Sequence, residues 1–358
     1  MLVTGVGGGG HGHEVAKALK LADRYRIVGL DMSPTSFGLF DLDAAFVVPP
    51  ASEPGYVDSL LAICGDQRID VLIHGSEPEL KIISAHREAF RSAGVLPLIN
   101  AADVISLCMD KWATVQALEA AGLPVPRSAL VECEEDIPDF PLPAVVKPSV
   151  GGGGSANTFL AQDRTELVDA CRTIAQQGKA SIVQEYVGTP QDEYTVGVLS
   201  TLDGTSIGSF ALNREIMSGL SNRIKAPNRT DRTDLGPTLA ISSGVSQGQV
   251  REFPDVRFGC EQIAAALGSQ GPMNVQCRFV DGTLYPFEIN PRFSGTTYIR
   301  ALMGFNEPDL LIRHHVLGEP LPERVEYRFG QVVRALVERV VEDHAPVEPW
   351  RTPGEARV

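Results

Sequence analysis

The sequence predicts an α/β domain with a parallel sheet, followed by an α+β region built on antiparallel strands. Two observations carry this. Over the first hundred residues short apolar runs alternate with amphipathic stretches, and beyond Pro126 strand-like segments follow one another with few helices between them. Parallel neighbours need crossovers, so strand–helix alternation implies a sheet covered on both faces. MLVTGV, YRIVGLD, AAFVVPP, DVLIHG and VLPLIN read as strands; HEVAKALKLA, YVDSLLAICG and PELKIISAHREAFRSAG read as helices. A further helix from Lys111 to Ala121 ends at Gly122, because Leu123-Pro124-Val125-Pro126 cannot continue it.

In the second region SALVE, PAVVKPS, SANTFLA and ASIVQEYV read as short strands, with the helix RTELVDACRTIAQQG between the last two. TVGVLS and SIGSFALNRE read as a hairpin. Residues 228–255, rich in Gly, Ser, Thr and Asp, read as a long surface loop or lid. The helix RFGCEQIAAALGS then leads into the strands MNVQCRFV and LYPFEIN.

A chain of 358 residues has room for two or three domains. No stretch approaches the roughly 20 apolar residues that span a bilayer, and the strand-like start does not read as a signal segment. The six cysteines are scattered without a CxxC pair, which favours a reducing cytoplasm over a disulfide framework or a zinc site. A net charge of −14 disfavours nucleic acid as a partner, since phosphate backbones need a basic face. It leaves nucleotides open, because these need only a local cluster of cations and N–H groups.

Gly5, Gly7 and Gly10 form G-x-G-x-x-G between the first strand and its helix, and Asp31 ends the second strand. Glycines there admit a pyrophosphate, and the acid would take a ribose hydroxyl, so an NAD(P)-dependent oxidoreductase is one reading. A tight turn in a doubly wound sheet is the other. His11 and His13 beside it either face a substrate or are ordinary loop histidines.

In FEINPR, Glu288 and Asn290 share one face of a strand. A carboxylate and an amide oxygen suit magnesium, which takes its other ligands from water and phosphates. Arg292 offers a planar fork to an anion. Gln276 on the preceding strand joins them only under one condition. A two-residue Asp281-Gly282 turn puts Gln276 opposite Phe287, on the wrong face, so an odd-length loop or a bulge is expected. A solvated sheet face would carry the same polar residues.

Upstream, VVKPSVGGGGSA places Lys147 late in a buried strand before Gly151, Gly152, Gly153, Gly154 and Ser155, which suits a phosphate cradle better than a bare hairpin tip. Gln184-Glu185-Tyr186-Val187 ends a strand where backbone groups meet an adenine edge, and Glu193 follows as a ribose acceptor; either acid is equally a surface charge. Lys111 opens a helix, where the dipole does not favour a cation, and is an exposed lysine or an anion partner.

Taken in order, DKWATVQALEAAGLPVP, VVKPSVGGGGSA, IVQEYV with Glu193, MNVQCRF and FEINPRFSG resemble the ATP-grasp superfamily, in particular its carbamoyl-phosphate synthase large-chain branch. With the N-terminal sheet the resemblance covers most of the chain. It implies a Rossmann-like pre-ATP-grasp domain at 1–108 that helps bind substrate instead of NAD. It also implies a two-lobed ATP-grasp domain at 109–320 with 128–190 as its small lid, and a strand and tail at 321–358 completing the last lobe. Lys111 and Lys147 would contact ATP phosphates under a mobile loop of Gly151 to Gly154 and Ser155. Glu185, Tyr186 and Val187 would hold adenine, Glu193 ribose, Gln276, Glu288 and Asn290 the Mg2+ (or Mn2+), and Arg292 the phosphate or acyl phosphate.

The implied reaction activates a carboxylate as an acyl phosphate, releases ADP and joins the acyl group to an amine. An ATP-grasp kinase releasing a phosphorylated product is the near alternative. The branch's synthases fuse two ATP-grasp halves, and this chain has length for one, so it looks more like the stand-alone ligases of the pyrrolysine-pathway kind. Arg214 and Arg223 are candidate anion clamps or surface arginines. Ser76, Glu77, Ser294, Gly295 and Thr296 line a substrate pocket or serve as caps and turns. The expected partners are small carboxylates and amines, by resemblance amino acids, and a second copy in a homodimer; neither nucleic acid nor membrane is expected.

Overall fold

The structure is a computed structural model describing residues 1–7, 10–151, 157–341, 347 and 350. Strands β1 (Leu2–Val3), β2 (Val28–Asp31), β3 (Ala44–Val47), β4 (Val71–Ile73) and β5 (Leu96–Pro97) form a parallel sheet in the order β3-β2-β1-β4-β5. Helices α1 (His11–Ala22), α2 (Tyr56–Gln67), α3 (Glu77–Ala85) and α4 (Arg87–Ser92) connect them. Alternate strand residues feed two cores. Val3, Val71 and Ile73 pack with Val15 and Leu19 of α1, while Leu2 and Leu72 pack with Leu60, Ile63 and Leu80 of α2 and α3.

The stretch expected to form one helix from Pro78 is two. His86 leaves the helical region at φ −110°, ψ 20°, and its Nδ1 lies 2.9 Å from the Ile82 carbonyl, so ring and backbone meet at the same oxygen. Next come α5 (Ala102–Met109), which the apolar pattern did not reveal, and α6 (Lys111–Ala120). The Asp110 carboxylate caps α6 by accepting from the N–H groups of Trp112 and Ala113.

A small antiparallel sheet follows, made of β6 (Ser128–Val131), β7 (Ala144–Pro148), β8 (Phe159–Ala161) and, after α7 (Arg164–Ala175), β9 (Ser181–Glu185), in the order β6-β9-β7-β8. Leu167, Cys171 and Ile174 of α7 cover it against Val146, Ala161 and Val183.

The larger sheet opens with β10 (Glu193–Ser200) and β11 (Ser206–Arg214), the expected hairpin. Then come the ribbon β12 (Asn222–Pro227) and β13 (Thr238–Ser242), the strand β14 (Gly248–Val250), helix α8 (Pro254–Ala266), and the hairpin β15 (Pro272–Val280) and β16 (Thr283–Asn290). After α9 (Thr297–Met303) and α10 (Glu307–His315), β17 (Gly330–Val332) completes the order β16-β15-β10-β11-β14-β17. Residues 228–255 are therefore not the long loop expected from their composition. The five-residue run Thr238–Ser242 pairs with β12 and buries Leu239 and Ala240, a gain that overrides its polar surroundings.

One face of this sheet meets α8. The other contributes Leu199, Phe210 and Leu212 to the core that holds Val15 and Leu19 of α1, with Ile299, Leu311 and Ile312 between. Polar ties fix the same junction: Tyr25 Oη donates to Asp309 at 2.7 Å, and Asn306 Nδ2 to the Ala18 carbonyl at 2.9 Å. Asn100, fully buried after β5, donates to the carbonyls of Pro272 and Pro291 at the two ends of the β15–β16 hairpin. The parallel sheet is thus anchored to the hairpin that carries FEIN.

Beneath β10 lies a buried ion pair, Arg300 to Glu307 at 2.8 Å, and a Cβ on Gly197 would stand 2.1 Å from Arg300 Nη1. Gly197→Ala is therefore expected to lower unfolding free energy by about 2–4 kcal/mol, since neither partner can retreat without breaking the pair. Gly65→Ala, on an exposed turn of α2 with nothing within 4 Å of the added Cβ, is expected to raise it by about 0.5–1 kcal/mol. Urea unfolding of the two variants checks both signs.

Candidate active site

The β15–β16 hairpin closes on the two-residue Asp281-Gly282 turn, with Val280 opposite Thr283 and both turn residues at positive φ. That turn alone would leave Gln276 facing Phe287. A register shift beyond Cys277 corrects it: Cys277 pairs with Pro286, Gln276 pairs with Glu288, and Phe287 is the extra residue of a bulge. Of the two expected devices, the bulge is the one present. Pro286 lacks an N–H for the ladder, and such residues settle at bulges. Gln276 Nε2 then donates to Glu288 Oε2 at 2.8 Å.

The bulge has a second consequence. The carbonyl of Phe287 accepts from Lys147 Nζ at 2.6 Å, and Lys147 comes from β7 of the smaller sheet. Its other partner is Gln184 Oε1 on neighbouring β9, at 3.0 Å. Burial pushes the Lys147 ammonium down to about 8; Glu288 pulls it back up and Lys111 pushes it further down. Lys111 Nζ reaches the Gly151 carbonyl at 3.1 Å, and its own N–H donates to the Ser149 carbonyl, which ties the start of α6 to the segment after Lys147.

Between the two sheets lies a cleft lined by Lys111, Lys147, Glu185, Tyr186, Val187, Glu193, Gln276 and Glu288, with Val145, Ile241 and Phe287 as apolar walls. Tyr186 Oη both donates to the Ala240 carbonyl and accepts its N–H, so β13 is pinned over the strand end that carries Glu185. Glu193 is buried between two guanidinium groups, Arg214 at 3.0 Å and Arg278 at 3.2 Å. Arg214 also donates to Gln276 Oε1 at 3.1 Å. A continuous polar chain therefore runs Arg278–Glu193–Arg214–Gln276–Glu288.

A second cleft meets the first at Gln276 and Glu288 and reaches the N-terminal domain at Gly10 and His11. Ser294, Gly295 and Thr296 line it, with the Ser294 and Thr296 hydroxyls 2.6 Å apart. Arg292 lines it too. One of its nitrogens lies 3.6 Å from Glu77 and 3.1 Å from Asn290 Oδ1, while its Nε is buried without a partner among the described residues. Ser76 stands apart as the N-cap of α3, accepting from the Glu79 N–H and donating to its carboxylate. Arg223 is exposed on β12, outside the residues lining either cleft. The expected phosphate loop at Gly152, Gly153, Gly154 and Ser155 lies outside the described residues.

The donor set fits a metal shared with a nucleotide. Among the described residues no three His, Cys, Asp or Glu side chains converge, so no all-protein cage is built. Magnesium needs less: one or two carboxylates, with phosphates and water for the rest. Glu288 supplies the carboxylate. The amide oxygens of Gln276 and Asn290 each accept from one arginine and keep a second lone pair.

The N-terminal glycines already have local duties. Gly7 N–H donates to Asp31 at 2.7 Å, so the acid expected to take a ribose hydroxyl closes the turn instead. A Cβ on Gly12 would stand 2.4 Å from the Thr4 and Gly5 carbonyls, which explains the close approach of α1 to β1. His13 packs edge-on against Phe37, away from either cleft lining.

Sequence reasoning missed Arg278, which holds the Val187 carbonyl, Glu193 and the Ala240 carbonyl together. The signal was available: Arg278 is two residues from Gln276 and on the same strand face. It also missed Gln184 as the partner of Lys147.

Two family models match the chain: "PylC-like, N-terminal domain" over residues 1–99 and "ATP-grasp domain" over residues 108–296. A carbamoyl phosphate synthase large chain from Clostridium beijerinckii is 26% identical over 316 residues, covering 86% of this chain and 27% of its own length. The D-alanine–D-alanine ligase of Chromohalobacter salexigens is 27% identical over 245 residues, covering 66% of this chain and 70% of that one. This chain thus spans about a quarter of the large chain it matches. Among solved structures, an L-amino acid ligase from Bacillus licheniformis superposes with a TM-score of 0.60 at 19% identity, covering 84% of this chain and 70% of the other, which shows a shared fold. The larger of the two matched segments contains Lys111, Lys147, Glu193, Gln276 and Glu288 and takes in more than half of the sequence; the chain belongs to the ATP-grasp family.

Proposed function

We propose that this chain is an ATP- and Mg2+-dependent (or Mn2+-dependent) ligase that activates a carboxylate as an acyl phosphate and passes the acyl group to an amine. The observation that carries the reading is the meeting of Lys147 with the Phe287 carbonyl beside the Gln276–Glu288 pair. Cations and a hard carboxylate then face one cleft whose far wall is apolar enough for a base.

In the first step a carboxylate oxygen attacks the γ-phosphorus of ATP, the bond to the β-bridging oxygen breaks, and ADP leaves. In the second an amine attacks the acyl carbon, phosphate leaves, and the amine sheds a proton to give the amide. Lys147 and Lys111 offset negative charge on the phosphates. The strand end at Glu185, Tyr186 and Val187 presents backbone groups to adenine, and Glu193, fixed by its two arginines, presents an edge to ribose. Arg292 lines the second cleft along with Glu288 and is assigned to the carboxylate and then the acyl phosphate; Arg214 acts by fixing Gln276. Glu288, with Gln276 and Asn290, would hold the metal, whose charge lowers the cost of phosphoryl transfer. Six cysteines free of disulfides fit a reducing cytoplasm, and no described helix is long and apolar enough to cross a membrane.

Three outcomes test this. Mixing carboxylates with MgATP and hydroxylamine should yield hydroxamate and ADP; AMP with pyrophosphate, or a stable phosphorylated product with no amine consumed, contradicts it. Glu288→Gln should lower ADP release at least roughly a hundredfold, since it deletes charge while keeping shape; unchanged turnover would refute the site. Lys147→Met should weaken MgATP binding by about 10- to 100-fold, the usual worth of a charge-assisted hydrogen bond.

The pH sign is fixed by the same lysine. As pH rises through about 8 the nucleotide-free site loses this charge, so MgATP affinity should fall in the wild type and stay flat in Lys147→Met. Stability runs the opposite way. Between about 8 and 10.5 the unfolded chain holds more protons than the folded one, so this group makes stability rise with pH across that window.

A further inference from the structure

The second cleft carries a chemical bias of its own. Every described residue lining it is polar or glycine; no aliphatic or aromatic carbon side chain borders it. Pockets that take apolar side chains are lined mainly by apolar groups. An alkyl group here would leave hydroxyls and amides without water or partners, which costs more than its own burial returns. The charge inventory is equally selective. Glu288 is the sole carboxylate among those lining residues, is bonded to Gln276 and is assigned to the metal, so no acid remains to neutralise a cationic side chain.

Within this lining, donors lack partners. Nε of Arg292 and Nε of Arg214 are both buried with no partner among the described residues. His11 is fixed by its neighbour. His74 Nδ1 lies 3.2 Å from the Ser76 carbonyl, which can only accept, so Nδ1 of His74 carries the proton. His11 Nε2, 3.4 Å from that same N–H, is then the acceptor, and the neutral His11 ring must carry its own proton on Nδ1. Burial holds both rings neutral: it pushes His74 down to about 3, aided by Arg292, and His11 well below its usual value, aided by Arg292 and His74. His11 therefore offers Nδ1–H as a donor for which the described residues supply no acceptor.

We propose that this cleft binds the acid to be activated and that the acid is small and hydroxylated, its carboxylate against Arg292 and a chain oxygen accepting from His11 Nδ1–H. The assignment rests on the ligase reading above, and it makes His11, from the N-terminal sheet's first helix, a specificity-determining residue.

The test measures MgATP-dependent ADP release, with hydroxylamine as acceptor, for glycolate, glycerate and threonate against butyrate, isovalerate and lysine. The hydroxylated acids should exceed the apolar and cationic ones by about tenfold or more in kcat/KM. His11→Ala should raise KM for the preferred acid about tenfold and leave KM for ATP in place. His11→Asn, which keeps an N–H near the Nδ1 position, should recover most of the loss; a purely structural role for the ring predicts no such rescue. Equal or better turnover of apolar or cationic acids overturns the substrate assignment and spares the ligase reading, as does an unchanged KM in His11→Ala. No ADP release with any of these acids, in a chain that still binds MgATP, removes the ligase reading and this assignment with it.

Discussion

One irregularity in one hairpin holds the site together. The bulge at Phe287 is the extra residue that lets a two-residue turn coexist with Gln276 facing Glu288. The same residue turns its carbonyl to Lys147 on the other sheet. Had the ladder run in regular register, Gln276 would face Phe287, as the parity of the strand requires. Bulges commonly re-aim side chains beside functional sites, and here one bulge serves both the carboxylate that suits a metal and the lysine that suits a phosphate.

Behind that junction the charges are arranged to fix geometry more than to add stability. Glu193 sits between Arg214 and Arg278, and each arginine also holds backbone carbonyls: Ser243 and Val245 for Arg214, Val187 and Ala240 for Arg278. Buried ion pairs seldom repay their desolvation, yet removing one member leaves an uncompensated charge. The network therefore resists change and orients Gln276 from one side while holding the strand end at Val187 from the other. The Arg300–Glu307 pair does the same beneath Gly197, also binding Asn274 Oδ1 at 2.5 Å.

Much of this was legible in the sequence, for identifiable reasons. Strand–helix alternation gave the parallel sheet because period and element length agree there. Parity around Asp281-Gly282 demanded a bulge or an odd loop before any geometry was visible. Other parts were hidden. Thr238–Ser242 looked like loop because its neighbours are polar, and only pairing with β12 makes it a strand. The N-terminal glycines matched a dinucleotide pattern, but Gly7 spends its N–H on Asp31, a contact that composition cannot reveal. His11 stayed open between a substrate-facing and an ordinary loop histidine because its ring partner, His74, is 63 residues away in sequence.

Two clefts meet at Gln276 and Glu288, and the proposed ligase reading assigns the nucleotide to one and the acid to the other. The most direct test is a crystal structure with magnesium and a non-hydrolysable ATP analogue. The predicted result is a metal on Glu288 bridging to phosphates that contact Lys147, with the base against Glu185 to Val187. A nucleotide seated instead on the glycine turn at Gly5 to Gly10, or a metal remote from Glu288, would contradict this account.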